Sequence, residues 1–234
     1  MFGIPKLNYD AGNKTRFGMS RVDQSRERDA IRKEYARLAP VYDTRWSLYI
    51  EATTNATLAR LSAHRTARIL DVGCGTGILL QGLAQKFPQA TLFGIDPVPE
   101  MLAVARTCVS PSTELHEAWV EELPFEDNTF DVVVSCNMFH YVQQPVSALV
   151  EMSRVLRPGG ELLITDWCDD YLTCRIFAWC LRLFSPVHMK VYGRWECLRL
   201  LKEAGYPQAH LERYKINWLW GLMTARMTKH TGHL

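Results

Sequence analysis

The sequence of 234 residues predicts an α/β fold built on a doubly wound, mostly parallel β-sheet. Two observations carry this prediction. From residue 68 onward, short apolar segments typical of buried strands alternate with segments that have helical periodicity. The first of these strands also runs through a glycine-rich turn directly into a helix. Because such alternation places helices on both faces of a parallel sheet, we expect one sheet with a helical layer on each side.

The segment ahead of the sheet divides into two parts. Residues 1–30 carry closely mixed charges and no apolar face, so we expect a polar, mobile N-terminal tail. Residues 31–64 have apolar residues at helical spacing, interrupted at Pro40, and predict short N-terminal cap helices. The hydrophobic content of 47% is enough for one core of ordinary size, so 31–234 is expected to be a single domain.

The strands and helices of the sheet region follow in a regular order. The predicted strands are Arg68–Val72, 91–95, 113–118, 131–135 and 160–165. The predicted helices are 77–87, 99–107 and Pro145–Val155, and Gly159 and Gly160 stop the last of them. A helical cap insert is expected at 167–205, and two final β segments, 210–213 and 215–220, are predicted to form a hairpin.

Charge and cysteine content argue against several classes of protein. Lys and Arg number 27 against 25 Asp and Glu, a net charge of +2, so a nucleic-acid partner is not expected. Seven cysteines, an odd number at irregular spacing, indicate reduced thiols and a cytoplasmic location. Cys168, Cys174 and Cys180 recur every six residues, but side chains at this spacing on a helix point apart, so no thiol or metal site is predicted.

Neither a secretion signal nor a membrane span is expected. Residues 1–16 contain no apolar run resembling the core of a signal peptide. Residues 132–150 are free of Asp, Glu, Lys and Arg, but they contain several polar side chains. We interpret this stretch as a buried strand followed by a loop.

The glycine-rich turn after the first strand is the most informative segment. Residues 71–77, DVGCGTG, lie at the edge where open α/β sheets bind ligands, and glycine there lets the backbone approach a ligand closely. A dinucleotide fingerprint would need a third glycine at position 78, which is Ile78, so pyrophosphate binding is disfavoured. No Gly-Lys-Ser or Gly-Lys-Thr run is present, which argues against a nucleoside triphosphate.

Asp96 closes the second predicted strand, about twenty residues after the glycines. A carboxylate at this place can accept hydrogen bonds from both hydroxyls of a ribose. An ordinary turn residue ahead of Pro97 is the alternative. The glycine-rich turn and Asp96 together fit an adenosine ligand without phosphates.

Two further segments, LPFEDNTFD at 123–131 and LRPGG at 156–160, complete a family pattern. With 71–77 and Asp96, they resemble the class I S-adenosylmethionine-dependent methyltransferases, most of all the subgroup that includes the ubiquinone and menaquinone biosynthesis enzymes. The resemblance covers about residues 35–166. It implies S-adenosylmethionine as cofactor and a Rossmann-like, seven-stranded, mostly parallel sheet with an antiparallel C-terminal hairpin strand and a helical cap.

The resemblance also implies roles for individual residues. The backbone around Gly73, Cys74 and Gly75 would hold the amino-acid end of the cofactor, Asp96 the ribose, and Pro97 and Met101 one face of the adenine. The remaining residues implied as contacts are Tyr42, Asp71, Trp119, Val120, Glu121, Cys136 and Asn137.

Two of these positions need comment. Where the family usually has an acidic side chain that reads the adenine amino group, this chain has Trp119. We expect Trp119 to flank the adenine, while the Val120 amide reads its edge with Glu121 nearby; packing of Trp119 in the core is the alternative. Tyr42 lies in a segment that closes over the site in the family, where an aromatic ring can meet the sulfonium.

Methyl transfer depends mainly on orientation, and a general base is needed only if the acceptor must lose a proton. His140 is the candidate base, because 135–141 follows the fourth predicted strand and histidine titrates near neutrality. A structural role, or a hydrogen bond to the substrate, is the alternative. The N-terminal helices and the aromatic-rich insert are expected to roof the acceptor pocket, which favours a flat or hydrophobic acceptor.

Several interpretations stay open at this point. The leading one is methylation of a small quinone-like, phenolic or natural-product acceptor, ahead of a lipid headgroup. A non-catalytic regulatory protein that binds S-adenosylmethionine is a second, and a nicotinamide oxidoreductase, disfavoured by Ile78, a third. The apolar run at 176–184 is too short to cross a bilayer but could contact its surface. The sequence does not define the oligomeric state.

Overall fold

The computed structural model describes residues 21–184, 187 and 189–230, so residues 1–20 of the predicted tail lie outside it. The strands are β1 (Arg68–Val72), β2 (Thr91–Asp96), β3 (Glu114–Glu117), β4 (Phe130–Cys136), β5 (Leu156–Trp167), β6 (His210–Lys215) and β7 (Gly221–Thr228). The helices are α1 (Arg21–Leu38), α2 (Tyr42–Arg45), α3 (Ser47–Arg60), α4 (Ile78–Lys86), α5 (Pro99–Cys108), α6 (Pro145–Val155), α7 (Leu172–Phe184) and α8 (Arg194–Glu203).

The seven strands of the described chain form one sheet in the order β3-β2-β1-β4-β5-β7-β6. The first five are parallel to their neighbours, whereas β7 is antiparallel to both β5 and β6. This confirms the predicted fold class. None of the helices in the described ranges is long and apolar enough to cross a membrane.

Adjacent residues of β1 show how the two helical layers are attached. Ile69 and Leu70 are both fully buried, but they belong to different apolar clusters. Ile69 packs in the cluster that holds Leu80 and Leu83 of α4, and Leu70 in the one that holds Met152 of α6. Because side chains of a strand alternate between its faces, both faces of the sheet are covered by apolar contacts. Polar ligand-binding groups are therefore confined to the strand ends.

The structure corrects the boundary of the predicted tail. Residues 21–30 are not tail but the first half of α1. Charged side chains contribute to the docking of this helix: Arg32 Nε donates to the carbonyl of Pro97 over 3.0 Å, and Arg32 pairs with Glu117 at 2.6 Å. The apolar contacts of the helix come from its second half, where Ile31 is buried, so hydrophobic periodicity did not find residues 21–30.

The predicted C-terminal hairpin is present, but its second strand was misplaced. Residues 216–220 form the connection, and β7 starts only at Gly221. The side-chain oxygen of Asn217 accepts hydrogen bonds from the backbone amides of Leu219 and Trp220, at 2.9 and 2.7 Å, and this closes a turn. The alternating aromatic residues in this stretch produce the sequence pattern of a strand. The local structure is instead a turn, which the Asn217 side chain closes.

Candidate functional site

A cavity lies at the carboxyl ends of β1, β2 and β4. The loops that follow these strands form its walls, and residues of α1 and α3 cover it. All of the residues predicted to contact a cofactor line this one cavity: Tyr42, Asp71, Gly73, Cys74, Gly75, Asp96, Pro97, Met101, Trp119, Val120, Glu121, Cys136 and Asn137. The parallel topology thus assembles them at one edge of the sheet.

The glycine-rich turn is fixed in place by the end of β2. Gly73 and Gly75 have φ angles of +76° and +53°, and a Cβ atom on Gly73 would lie 2.5 Å from Cγ of Met138. The carboxylate of Asp96 accepts a hydrogen bond from the Gly75 amide at 3.0 Å and one from the Val98 amide at 2.9 Å. The turn therefore requires glycine at Gly73, both for its backbone conformation and for space.

Asp71 is buried beneath this turn. Its Oδ2 atom has no hydrogen-bond partner among the described residues. Burial, followed by the nearby charge of Asp96, raises the pKa of Asp71 to about 8. Burial also raises the pKa of Asp96 to about 6, although the hydrogen bonds from the two backbone amides lower it. A cation bound beside Asp71 would favour its ionised form.

These groups fit S-adenosylmethionine, the cofactor that the family resemblance implies. Its methionine part carries an ammonium group, which matches the unpartnered carboxylate oxygen of Asp71. Its ribose hydroxyls match the remaining lone pairs of Asp96, because a carboxylate has about four acceptor positions. Met101 and Val98 add apolar wall for a flat base.

One face of α1 lines the cavity, and most of it escaped the sequence analysis. Gln24, Arg28, Ile31 and Tyr35 are cavity residues, and they recur at the spacing of a single helical face. The first two fell in the segment assigned to the tail. Their spacing with Ile31 and Tyr35 was the available signal, but a search for apolar periodicity does not register Gln or Arg.

Trp119 is half-buried and contacts α1 instead of being packed in the core. The guanidinium carbons of Arg28 and Arg32 lie 4.8 and 5.8 Å from the centroid of its ring. Arg28 also pairs with Glu121 at 3.4 Å, and Arg32 with Glu117. α1 therefore packs against Trp119 through these arginines, at the end of the cavity that also contains Glu121.

Three tyrosine rings from separate elements line the cavity. Tyr35 lies 5.9 Å from Tyr42 and 5.5 Å from Tyr141, measured between ring centroids. The neighbour of Tyr42, Asp43, accepts a hydrogen bond of 2.6 Å from the hydroxyl of Thr76. The segment that carries Tyr42 is thereby attached directly to the glycine-rich turn.

Asn137 and His140 follow β4 but have different surroundings. Asn137 has a φ angle of +60°, and its amide accepts from the Tyr49 hydroxyl at 2.6 Å and donates to the Thr53 hydroxyl at 2.7 Å. His140 is buried, with Nδ1 2.7 Å from a carboxylate oxygen of Asp166. It is the one predicted site residue that the structure does not bring to the cavity lining.

The insert does not roof the cavity as expected from the sequence. Trp167, Phe177 and Trp220 pack with Tyr49, at centroid distances of 4.7 to 6.1 Å, and form the core under α7. Within the described ranges, no residue of 167–205 lines the cavity. The rings are used to attach α7 to the sheet, and α1 to α3 cover the site instead.

Comparison with known proteins shows the family to which this chain belongs. Residues 70–164 match the family model of the methyltransferase domain. A phosphatidylethanolamine N-methyltransferase of Cereibacter sphaeroides is 37% identical over 145 residues, which are 60% of this chain and 69% of that protein. A demethylmenaquinone methyltransferase of Chlorobaculum parvum is 36% identical over 151 residues, or 61% of this chain and 62% of that protein.

Solved structures show the same fold. Phosphoethanolamine N-methyltransferase 2 of Haemonchus contortus, in complex with phosphomonomethylethanolamine and S-adenosylhomocysteine, superposes with a TM-score of 0.68 at 16% identity. The match covers 85% of this chain and 60% of that one. The chain thus spans about two thirds of the length of these relatives.

Proposed function

Because this chain belongs to the class I S-adenosylmethionine-dependent methyltransferases, we propose that it transfers a methyl group to a small acceptor with a hydrophobic body. One observation carries the proposal: a single cavity joins the glycine-rich turn, Asp71 and Asp96 to a roof of tyrosine rings. The carboxylates suit the two polar parts of the cofactor, and the rings provide an apolar place for an acceptor.

In this proposal, each wall of the cavity holds one part of the cofactor. Asp71 takes the ammonium group, Asp96 takes the ribose, and Trp119 flanks the adenine. Bound S-adenosylmethionine supplies a methyl group on a positively charged sulfur. The chain contributes orientation, because an in-line displacement needs the acceptor atom held directly behind the methyl carbon. The hydrogen bond from Thr76 to Asp43 attaches the segment that carries Tyr42 to the glycine-rich turn, which supports a role for Tyr42 in this orientation.

Two acceptor classes are compatible with a hydrophobic body. The relatives named above are, by name, a phosphatidylethanolamine and a demethylmenaquinone methyltransferase. Quinone-like and phenolic molecules are flat and apolar, whereas a lipid headgroup would have to be taken from a bilayer. In both cases the acceptor is a small molecule, or the headgroup of one, and it enters beside the tyrosine rings.

The surface of α7 supports access to a lipid-soluble acceptor. Leu172, Ile176 and Trp179 share one face of this helix and are 68%, 55% and 61% exposed, and Trp218 on the β6–β7 connection is 80% exposed. An apolar helix face of this kind can lie in the interface of a membrane. We therefore include a peripheral membrane contact in the proposal.

Vesicle cosedimentation tests the membrane contact. Trp179→Ser and Trp218→Ser should release the protein from phospholipid vesicles. Trp195→Ser is the matched control, because this tryptophan is equally exposed, at 75%, but lies on α8. Equal release by all three variants would contradict a contact through α7.

Turnover tests the catalytic proposal and separates it from a non-catalytic regulatory role. Binding of S-adenosylhomocysteine is first measured by isothermal titration. Formation of S-adenosylhomocysteine from S-adenosylmethionine is then followed with a hydroquinone and with phosphatidylethanolamine vesicles. Binding followed by turnover with either acceptor supports the proposal. Binding without turnover across a broad set of hydrophobic acceptors would favour the regulatory alternative.

A further inference from the structure

The backbone of Asn137 has a conformation that few side chains tolerate. Asn137 follows directly on β4 and lines the cavity, and its φ angle of +60° lies in the left-handed region. Asparagine enters this region more readily than most residues, but still at a cost in free energy that surrounding contacts must offset. The contacts that hold Asn137 therefore determine the shape of this part of the cavity wall.

Two buried side chains of α3 hold Asn137 by its side-chain amide. The hydroxyl of Tyr49 donates to Oδ1 over 2.6 Å, and Nδ2 donates to the hydroxyl of Thr53 over 2.7 Å. Thr53 donates in turn to the backbone of its own helix, and the Tyr49 hydroxyl accepts a hydrogen bond from Nε1 of Trp167. Both polar atoms of the Asn137 side chain are thus engaged by the protein and not left for a ligand.

The backbone carbonyl of Asn137 is in a different situation. The backbone amide of this residue donates to the carbonyl of Thr165 over 2.9 Å. Within the part of the chain that the structure describes, no hydrogen bond ends on the Asn137 carbonyl oxygen. Since every other polar group of this cavity residue has a partner, the carbonyl is the group that it can offer to a ligand.

Asn137 lies beside the glycine-rich turn, where the amino-acid end of the cofactor is proposed to bind. Its neighbour Met138 packs against this turn, because a Cβ atom on Gly73 would lie 2.5 Å from the Met138 Cγ atom. β1, which carries Asp71, is also the direct neighbour of β4 in the sheet. An ammonium group has three N–H donors, so the unpartnered oxygen of Asp71 leaves room for a second acceptor.

We infer that Tyr49 and Thr53 are positioning residues, which hold Asn137 in its left-handed conformation so that its carbonyl faces the ammonium group of the cofactor. This inference rests on the proposed function, since it concerns the same cavity. The side chain of Asn137 serves the fold and its backbone serves the ligand. No bond is made or broken by these residues, so their effect is on affinity for the amino-acid end of the cofactor.

A pair of ligands separates positioning from general support of the fold. S-adenosylhomocysteine carries the amino-acid part, whereas 5′-methylthioadenosine has the same nucleoside and sulfur without it. We expect Tyr49→Phe to weaken binding of S-adenosylhomocysteine about tenfold, the effect of one lost anchoring hydrogen bond, and to leave 5′-methylthioadenosine binding unchanged. Tyr214→Phe is the matched control, because its hydroxyl pairs with Thr224 at 2.8 Å, and both affinities should stay the same.

Substitution of Thr53 gives an independent measurement that leaves the Tyr49–Trp167 contact in place. Thr53→Val removes the hydroxyl at nearly constant volume and should discriminate against S-adenosylhomocysteine as Tyr49→Phe does. Thr53→Ser keeps the hydroxyl and should restore the affinity of the unmodified protein. Thermal unfolding confirms that each variant is folded. Equal losses for the two ligands, or no loss in a folded Tyr49→Phe or Thr53→Val variant, would overturn the inference.

Two substitutions of Asn137 test the conformational argument itself. Glycine adopts positive φ angles without strain, whereas alanine does not. Asn137→Gly should therefore bind S-adenosylhomocysteine more tightly than Asn137→Ala, and Tyr49→Phe should have little further effect in the glycine variant. If both variants lose affinity equally, the side chain of Asn137 is itself the ligand contact, and the inference is wrong while the proposed function stands. If the folded, unmodified protein binds neither ligand, both are wrong.

Discussion

Arg32 is the side chain whose removal should most clearly loosen the cover of the cofactor site. It makes three contacts between α1 and the sheet: the hydrogen bond to the Pro97 carbonyl, the ion pair with Glu117 and the approach to Trp119. Because α1 lines the cavity with Arg28 and Tyr35, its docking and cofactor binding should be coupled. We therefore expect Arg32→Ala to weaken binding of S-adenosylhomocysteine.

The expected loss follows from the three contacts. A hydrogen bond from a charged donor contributes about 1.5 to 3 kcal/mol. The ion pair adds no more than about 1 kcal/mol, because both side chains are more than 40% exposed. The contact with Trp119, at 5.8 Å, lies near the limit for a cation–π interaction and adds little. With allowance for exposure, we expect about 1.5 to 2 kcal/mol, or roughly a 10- to 30-fold loss of affinity.

Isothermal titration at low and high salt measures this effect. The affinity of the unmodified protein should fall as salt screens the ion pairs, and the fall should be smaller in Arg32→Ala. Arg37→Ala is the matched control, since Arg37 lies on the same helix but pairs only with Glu34 one turn away, at 2.9 Å. If the two variants bind S-adenosylhomocysteine equally well, α1 does not act as a cover for the bound cofactor.

Three further substitutions test the walls of the cavity. The pKa of Asp71 is about 8 in the folded protein against an ordinary value of 3.8, so between these pH values the folded state holds more protons than the unfolded state. Unliganded protein should therefore lose stability as pH rises through this range, and Asp71→Asn should remove much of the loss in thermal unfolding at pH 5 and pH 8. Gly73→Ala should lower the melting temperature and cofactor affinity more than Gly75→Ala, because its new Cβ meets Met138 whereas that of Gly75 meets nothing within 4 Å. Trp119→Ala should weaken S-adenosylhomocysteine binding about tenfold, while Trp119→Phe retains most of it; unchanged affinity in Trp119→Ala would contradict the prediction that Trp119 flanks the adenine.

The part of the site that could be predicted from sequence is the part determined by local backbone requirements. Gly73 and Gly75 need positive φ angles, and Asp96 stands at the end of a strand whose apolar pattern is clear. Each of these features can be recognised within a window of about ten residues.

The remaining features depend on contacts between distant residues. α1 is attached by guanidinium groups to Pro97 and Glu117, which lie 65 and 85 positions further along the chain. His140 follows β4 as expected, but its direction is determined by Asp166 at the end of β5. Neither contact leaves a periodic pattern in the sequence. The first half of α1 was therefore assigned to the tail, and the direction of the His140 side chain could not be predicted.

The hydrogen bonds of Asp96 have a consequence for the rate of the catalytic cycle. This carboxylate joins Gly75 and Val98 through their backbone amides, so the chain itself holds the wall beneath the cofactor in shape and little entropy is lost there on binding. S-adenosylhomocysteine retains nearly all the groups that this wall would hold, so methyl transfer alone does not loosen it. Product must then leave past α1, and exit of product should limit turnover more than chemistry does. Rapid-mixing experiments should accordingly show a burst of one methylation per protein molecule before the slower steady state.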